Sequence, residues 1–170
     1  MSSTLPVPVR FELPNDQWTP VLPESRGVTN AAFLAVRTGL PGDYEPTLTI
    51  SGDWREDGAS LEHIADESVE KLRLEGATEV ELLKRQVIES EHAPAVTQSI
   101  GAMVAVEGHV YDVRQGQVIQ ELIDVHDPTK RVVVIYTMTC TYGQWEQMVP
   151  EFQQFMASVE IVTDAEGTTR

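Results

Sequence analysis

The four histidines are the side chains of this sequence best suited to bind a transition metal. No two are four residues apart, the separation that places two imidazoles on one helix face; they are His63, His92, His109 and His126. His126 stands between Asp124 and Asp127, but a calcium loop needs a longer run of oxygen ligands with a central glycine. We therefore expect exposed histidines, no metal site and no cofactor.

Cys140 is the single cysteine, which excludes an intrachain disulfide and a four-cysteine zinc site. A catalytic cysteine needs a neighbouring base and partly open, electropositive surroundings. Cys140 lies instead between Thr139 and Thr141 at the end of an apolar run, so we expect a small buried hydrophobic residue. No Gly-x-Ser-x-Gly elbow and no phosphate-binding glycine loop occurs either. The sequence thus carries no hydrolase or nucleotide-binding signature.

Acidic residues outnumber basic ones by 27 to 12, which gives a formal net charge of -15. This charge repels phosphate backbones and anionic lipid surfaces, so we expect no nucleic-acid partner and no membrane insertion. It keeps a protein soluble, and it also favours a basic or cationic partner. Paired carboxylates can perform acid and base catalysis, although surface glutamates are the expected background in a soluble protein.

Three aromatic residues stand among polar neighbours in segments that the pattern assigns to loops or strand ends. They are Trp18, Tyr44 and Trp54. Exposed aromatic side chains often anchor a protein partner, so these three are our candidate partner-binding residues. The alternative is that Trp18 and Trp54 close the ends of the sheet, because tryptophan is highly buried on average.

Alternating and β-branched apolar residues predict strands at residues 7–13, 31–37, 47–51, 80–89, 95–106, 116–125 and 131–141. The last two strands form the clearest hairpin, around a turn of Asp127, Pro128, Thr129 and Lys130. The segment that contains Trp18 and Val21 is predicted to be a loop.

Two amphipathic helices complete the pattern. Ser60 can cap a helix whose apolar residues recur at helical spacing from Leu61 to Leu72, and Gly76 is a suitable stop. The second apolar stripe runs from Trp145 to Val159, where Pro150 predicts a short first turn followed by a main helix from about Val149. We expect one α+β domain at residues 1–162, with a strongly twisted antiparallel sheet of six to seven strands and two flanking helices. A flexible tail should follow at residues 163–170.

Three segments resemble the PsbP-like superfamily, and within it the LpqN family of actinobacterial lipoproteins. They are FELPNDQWTPV at residues 11–21, LEHIADESVEKLRLEGATEV at 61–80 and RVVVIYTMTCTYGQWEQMVPEFQQFMASVEI at 131–161. The resemblance implies a sheet flanked by helices in a mostly non-enzymatic protein, since members include photosystem subunits, binders of small GTPases and cytosolic chaperones of secreted effectors. The lipobox cysteine of a lipoprotein is absent, so we expect a cytoplasmic relative.

These observations lead us to expect a non-catalytic protein-binding domain, an adaptor or a chaperone that holds an apolar helical segment of its client. A carrier of a small apolar ligand between sheet and helix is the alternative, and a carboxylate-based enzyme is the third. The opening strand could also pair across a two-fold axis in a homodimer.

Overall fold

The computed structural model describes residues 5–91, 93–123, 127 and 129–162. These residues form two α-helices, a large sheet and a two-stranded sheet. The helices are α1 (Leu61–Leu74) and α2 (Trp145–Ser158). The strands are β1 (Val9–Arg10), β2 (Trp18–Val21), β3 (Phe33–Arg37), β4 (Thr47–Trp54), β5 (Thr78–Ile88), β6 (Ala95–Val106), β7 (His109–Ile123), β8 (Arg131–Thr141) and β9 (Glu160–Ile161).

The large sheet has seven strands in the order β2-β3-β4-β8-β7-β6-β5, and every neighbouring pair is antiparallel. The predicted α+β fold, with six to seven strands and two helices, is confirmed. The predicted hairpin of β7 and β8 is also present, and Asp127 accepts a hydrogen bond at its carbonyl from Lys130 N at 2.9 Å. Pro128, Asp124 and the predicted tail at residues 163–170 lie outside the described residues.

Two segments differ from the sequence prediction. The predicted loop around Trp18 contains β2, which pairs with β3; Pro20 is tolerated there because β2 lies at the edge of the sheet, where a missing N–H group breaks no central ladder. The opening strand predicted at residues 7–13 is reduced to β1, which pairs with β9 in the small sheet. The opening strand, which was expected to be free to pair across a two-fold axis, is therefore already paired along one edge with β9 of the same chain.

Each helix covers one face of the large sheet. Helix α2 packs over β8 and β7, and the core beneath it contains Tyr136, Met138, Cys140, Met148 and Phe155, all buried. Helix α1 packs over β6, β5 and β7 on the opposite face, where a second core contains Ile64, Ala65, Val96, Ile119 and Val133. The two faces of the sheet thus have separate cores.

The ends of α1 follow the sequence prediction, whereas the start of α2 does not. The Ser60 side chain accepts a hydrogen bond from His63 N at 3.0 Å, and Gly76 has a left-handed backbone (φ +103°) just beyond the last turn of α1. Helix α2 runs through Pro150 without the predicted division. Pro150 and Glu146 are exposed, so water can bond the carbonyl that a proline at this position leaves without a donor.

Candidate functional site

A groove lies beside α2, because α2 covers β8 and β7 but leaves β6 and β5 uncovered on the same face of the sheet. The cavity has a volume of about 390 Å³. Its wall is one side of α2, and its floor is the sheet surface of β5, β6 and β7. We name it the α2 groove. Its main lining residues are Lys84, Gln86, Thr97, Ser99, Gly116, Val118, Trp145, Val149, Phe152, Gln153 and Met156.

The wall of the α2 groove is an apolar stripe. Trp145, Val149, Phe152 and Met156 are separated by four, three and four residues, which places them on one side of the helix. Phe152 is buried, but the other three are only half-buried. The sequence predicted these positions as a helix face packed on the sheet, and the structure packs it only in part. The exposed remainder of the stripe forms the wall.

Gly116 lets the wall lie close to the floor. A Cβ atom at this position would lie 3.4 Å from Cη2 of Trp145 and 3.5 Å from the ring of Phe152. A larger side chain on β7 would therefore push the two rings away from the sheet. The sequence alone gave no reason to single out this glycine within its strand.

The floor of the groove is polar and carries little charge. Thr97 and Ser99 on β6 are half-buried, Gln86 on β5 is exposed, and Lys84 is the charged residue among those that line the groove. Two exposed apolar side chains of β5, Ile88 and Leu83, lie on the same face. Ile88 pairs with Ala95 of β6, and the side chain of Leu83 approaches the point where a Cβ atom on Gly101 would lie.

A buried ion pair fixes α2 to the other half of the sheet. Arg37 on β3 donates from Nε and Nη2 to the two carboxylate oxygens of Glu151, each at 2.9 Å, and Trp18 Nε1 donates to Oε1 of Glu151 at 2.7 Å. The side chains of Arg37 and Glu151 are 7% and 14% exposed. The hydrogen bonds and charge of Arg37 hold the pKa of Glu151 below its usual value, with a further contribution from Trp18.

A row of polar side chains crosses the opposite face of the sheet. Arg85 donates from Nε and Nη2 to Gln98 Oε1 at 3.0 and 2.8 Å, and Gln98 Nε2 donates to Gln117 Oε1 at 2.7 Å. Gln117 Nε2 then donates to Thr137 Oγ1 at 3.3 Å. Gln117 and Thr137 line a second, more polar cavity of about 300 Å³ between α1 and the sheet. Its polar lining fits an apolar partner less well than the α2 groove does.

The three aromatic residues predicted to bind a partner occupy different environments. Trp18 is 4% exposed, so its ring belongs to the core, as the alternative interpretation expected. Tyr44 is half-buried and packs against Tyr111, with ring centroids 5.0 Å apart. Trp54 is 48% exposed at the far end of β4 from Tyr44. The structure does not bring the three together, and none lines the α2 groove; partner binding by them stays a prediction.

The remaining candidate residues do not form a metal-binding cluster in the described part of the chain. Cys140 is buried, as predicted, and burial raises the pKa of its thiol to about 12. His63 and His109 are exposed, whereas His92 and His126 lie outside the described residues. In residues 5–91, 93–123, 127 and 129–162, no three His, Cys, Asp or Glu side chains are grouped so that they could hold a metal ion. None of the helices described there combines the length and the apolar character that crossing a membrane requires.

Sequence comparison finds no matching family and no matching curated protein. Structure comparison does find relatives of the fold. LpqN of Mycobacterium tuberculosis, which is involved in cell envelope biogenesis, has a TM-score of 0.60 at 13% identity, over 95% of this chain and 88% of LpqN. The cyanobacterial PsbP of Synechocystis has a TM-score of 0.54 at 10% identity, over 86% of this chain and 82% of that protein. The chain has a PsbP-like fold.

A third structure with this PsbP-like fold is PA94 of Pseudomonas aeruginosa, a protein of unknown function. Its TM-score is 0.51 at 19% identity, over 82% of this chain and 94% of PA94. The predicted PsbP-like fold is confirmed, and the predicted resemblance to LpqN holds at the level of the fold alone. None of the three neighbours is described as an enzyme. Identities of this size relate folds and carry no residue roles, so they assign no function to this chain.

Proposed function

We propose that this protein is a non-catalytic binding protein that holds one apolar or amphipathic helix of a partner protein in the α2 groove. The observation that carries the proposal is the half-exposed stripe of Trp145, Val149 and Met156, which faces an uncovered part of the sheet. A partner helix bound in the groove would remove the stripe from water and would also cover the exposed face of β6 and β5. Helix-in-groove recognition commonly uses such a stripe.

The width of the uncovered sheet supports a single helix as the occupant. Neighbouring strands lie about 4.8 Å apart, so β6 and β5 together offer about 10 Å. One α-helix with its side chains is about 10–12 Å wide, and packed helices lie about 8–10 Å apart. A partner helix lying on β6 and β5 would therefore be in packing distance of α2.

The side chains around the groove support an amphipathic occupant. Leu83 and Ile88 extend the apolar surface at the open side of the groove, while Thr97 and Ser99 offer hydroxyl groups that donate and accept hydrogen bonds. A partner helix with apolar side chains toward α2 and small polar side chains toward β6 would match the apolar wall and the hydroxyl groups of the floor. The negative charge of the whole protein would keep such a complex soluble.

A carrier of a small apolar ligand is the second candidate, favoured by the position of the groove between helix and sheet and by its volume of about 390 Å³. The two candidates differ in the size of the molecule that should bind. A helix would contact the whole stripe from Trp145 to Met156, whereas a small ligand would need only part of it.

Binding of a labelled synthetic peptide, an amphipathic helix about five turns long with a leucine face, tests the proposal by fluorescence anisotropy. We expect Val149→Asp and Met156→Asp to weaken binding about tenfold or more, because each places a charge in the apolar contact. Leu74→Asp is the matched control, since Leu74 is an 81% exposed apolar residue on α1 at the opposite face. Equal effects of all three variants would contradict the proposal. Strong binding of the small apolar dye Nile red without peptide binding would favour the carrier.

A further inference from the structure

Another cavity lies away from the α2 groove, at the end of the sheet where β4 begins. It has a volume of about 460 Å³ and is bounded by Asp43, Tyr44, Tyr111 and Gln144. We name it the tyrosine pocket. None of these residues lines the α2 groove.

The two tyrosine rings form a fixed corner of the tyrosine pocket. The ring planes of Tyr44 and Tyr111 meet at 60° with centroids 5.0 Å apart. The carbonyl of Tyr44 accepts a hydrogen bond from Gln144 Nε2 at 2.9 Å, and Gln144 Oε1 accepts one from Thr141 N at 3.0 Å. Tyr111 is also stacked on His109, with centroids 6.3 Å apart. The Tyr111 ring therefore packs between Tyr44 and His109, and Gln144 anchors the backbone of Tyr44.

The charge at the tyrosine pocket is negative. Asp43 is the charged residue among those that line the cavity, and its carboxylate adds to the effect of burial in raising the pKa of Tyr111. Arg114 is directed elsewhere, because it pairs with Asp112 and its guanidinium lies 4.7 Å from the ring centroid of Tyr142. No lysine or arginine lines the cavity within the described residues.

Aromatic faces beside a carboxylate are the chemistry that binds organic cations, because the negative face of each ring attracts positive charge. The net charge of -15 also concentrates small cations near the protein. We propose that the tyrosine pocket binds a small organic ammonium ion through Tyr44, Tyr111 and Asp43. This proposal does not depend on the function proposed for the α2 groove.

Titration with choline, followed by amide NMR spectra of the whole protein, tests the proposal. The control ligand is the neutral dimethylbutanol in which carbon replaces the choline nitrogen. We expect choline to shift the signals of residues around Tyr44 and Tyr111, and its neutral analogue to bind about 3- to 30-fold more weakly, the range that a cation–π contact supports. Equal binding of the two molecules, or no shift with either, would overturn the proposal.

Two pairs of variants locate the site. Tyr111→Leu should weaken choline binding about 3- to 30-fold. Asp43→Asn should also weaken it, because it removes the negative charge beside the rings. Tyr142→Leu and Asp112→Asn are the matched controls, because Tyr142 is 63% exposed and neither residue lines the tyrosine pocket. Asp43 is exposed, so Asp43→Asn should leave the fold intact. This variant therefore tests the site even where Tyr111→Leu fails to fold. Equal losses in controls and pocket variants would place binding elsewhere and overturn the assignment.

Discussion

Glu151 on α2 and Arg37 on β3 form a two-point ion pair, with both hydrogen bonds at 2.9 Å and both side chains largely withdrawn from water. Trp18 on β2 completes the arrangement through its indole N–H group. These contacts attach α2 to the half of the sheet that lies away from β5 and β6. The location of α2, and with it the open groove over β6 and β5, depends in part on this pair.

Glu151→Gln should destabilise the protein because it leaves the Arg37 guanidinium buried without a counter-charge. Breaking one partner of a buried pair costs about 3 kcal/mol, which corresponds to a fall in Tm of about 10 °C for a chain of this size. Thermal unfolding followed by circular dichroism measures this change. The matched control is Glu160→Gln, since Glu160 pairs with Arg10 on the surface, with exposures of 64% and 67%, and should change Tm little. Equal shifts in both variants would contradict the structural role of Glu151.

The Glu151 pair also predicts how stability depends on pH. Arg37 lowers the pKa of Glu151 in the folded state from the ordinary value of 4.5, so folding favours the ionised carboxylate. Its contribution is therefore complete above about pH 4.5 and is lost as the pH falls through the lowered folded pKa. Urea unfolding between pH 3 and pH 7 should show a smaller acid loss of stability in Glu151→Gln than in the unsubstituted protein. Parallel pH profiles for the two proteins would contradict this assignment.

Tyr136→Phe should stabilise the protein. Tyr136 is fully buried beneath α2, and its hydroxyl group has no hydrogen-bond partner among the described residues. Burial also raises the pKa of this phenol to about 12, which reflects the same apolar surroundings. Removing an unsatisfied buried hydroxyl should raise the free energy of unfolding by about 1 kcal/mol, as measured by urea unfolding. Tyr142→Phe, at a 63% exposed position, should have no effect. A destabilised Tyr136→Phe would show that the hydroxyl group has a partner.

Gly116→Val should close or distort the α2 groove, because the added carbon atoms meet the rings of Trp145 and Phe152. We expect a loss of about 1–3 kcal/mol in stability and weaker binding of the amphipathic peptide. Labelling with 5-fluorotryptophan gives a separate fluorine NMR signal for each tryptophan, and the Trp145 signal reports the displacement of its ring. Gly143→Val is the control, since a Cβ atom there meets nothing within 4 Å. An unchanged Trp145 signal in Gly116→Val would contradict the described contact.

Local signals predicted much of the fold. The Ser60 cap, the helical apolar spacing of α1 and the β-branched run of β8 are contained in short stretches of sequence, and the structure has these elements in place. By contrast, β2 has only four residues and includes Pro20, so its pairing with β3 depends on tertiary contacts that no local pattern reports. No local pattern predicts that helix α2 continues through Pro150 either, because this depends on the solvent exposure of that position in the folded protein.

The candidate site was much less predictable. The apolar spacing from Trp145 to Met156 is the same whether the stripe is fully or partly buried. Which strands α2 covers depends in part on the Arg37–Glu151 pair, and those two residues are 114 positions apart in the sequence. Tyr44 was found by its type and its polar neighbours, but its partner Tyr111 lies in a strand that begins earlier than predicted. Contacts between residues that are far apart in the sequence therefore shape both the α2 groove and the tyrosine pocket.

Site-specific photo-crosslinking in the host cell tests the central claim most directly. A photoreactive phenylalanine derivative in place of Gln86, which is exposed on the groove floor, should crosslink a helical segment of another protein with apolar residues at i, i+3, i+4 and i+7. The same derivative in place of Glu70, which is exposed on α1 at the opposite face, should not capture that segment. Capture of the segment equally from both positions, or capture only of a second copy of this chain from Gln86, would contradict a partner helix in the α2 groove.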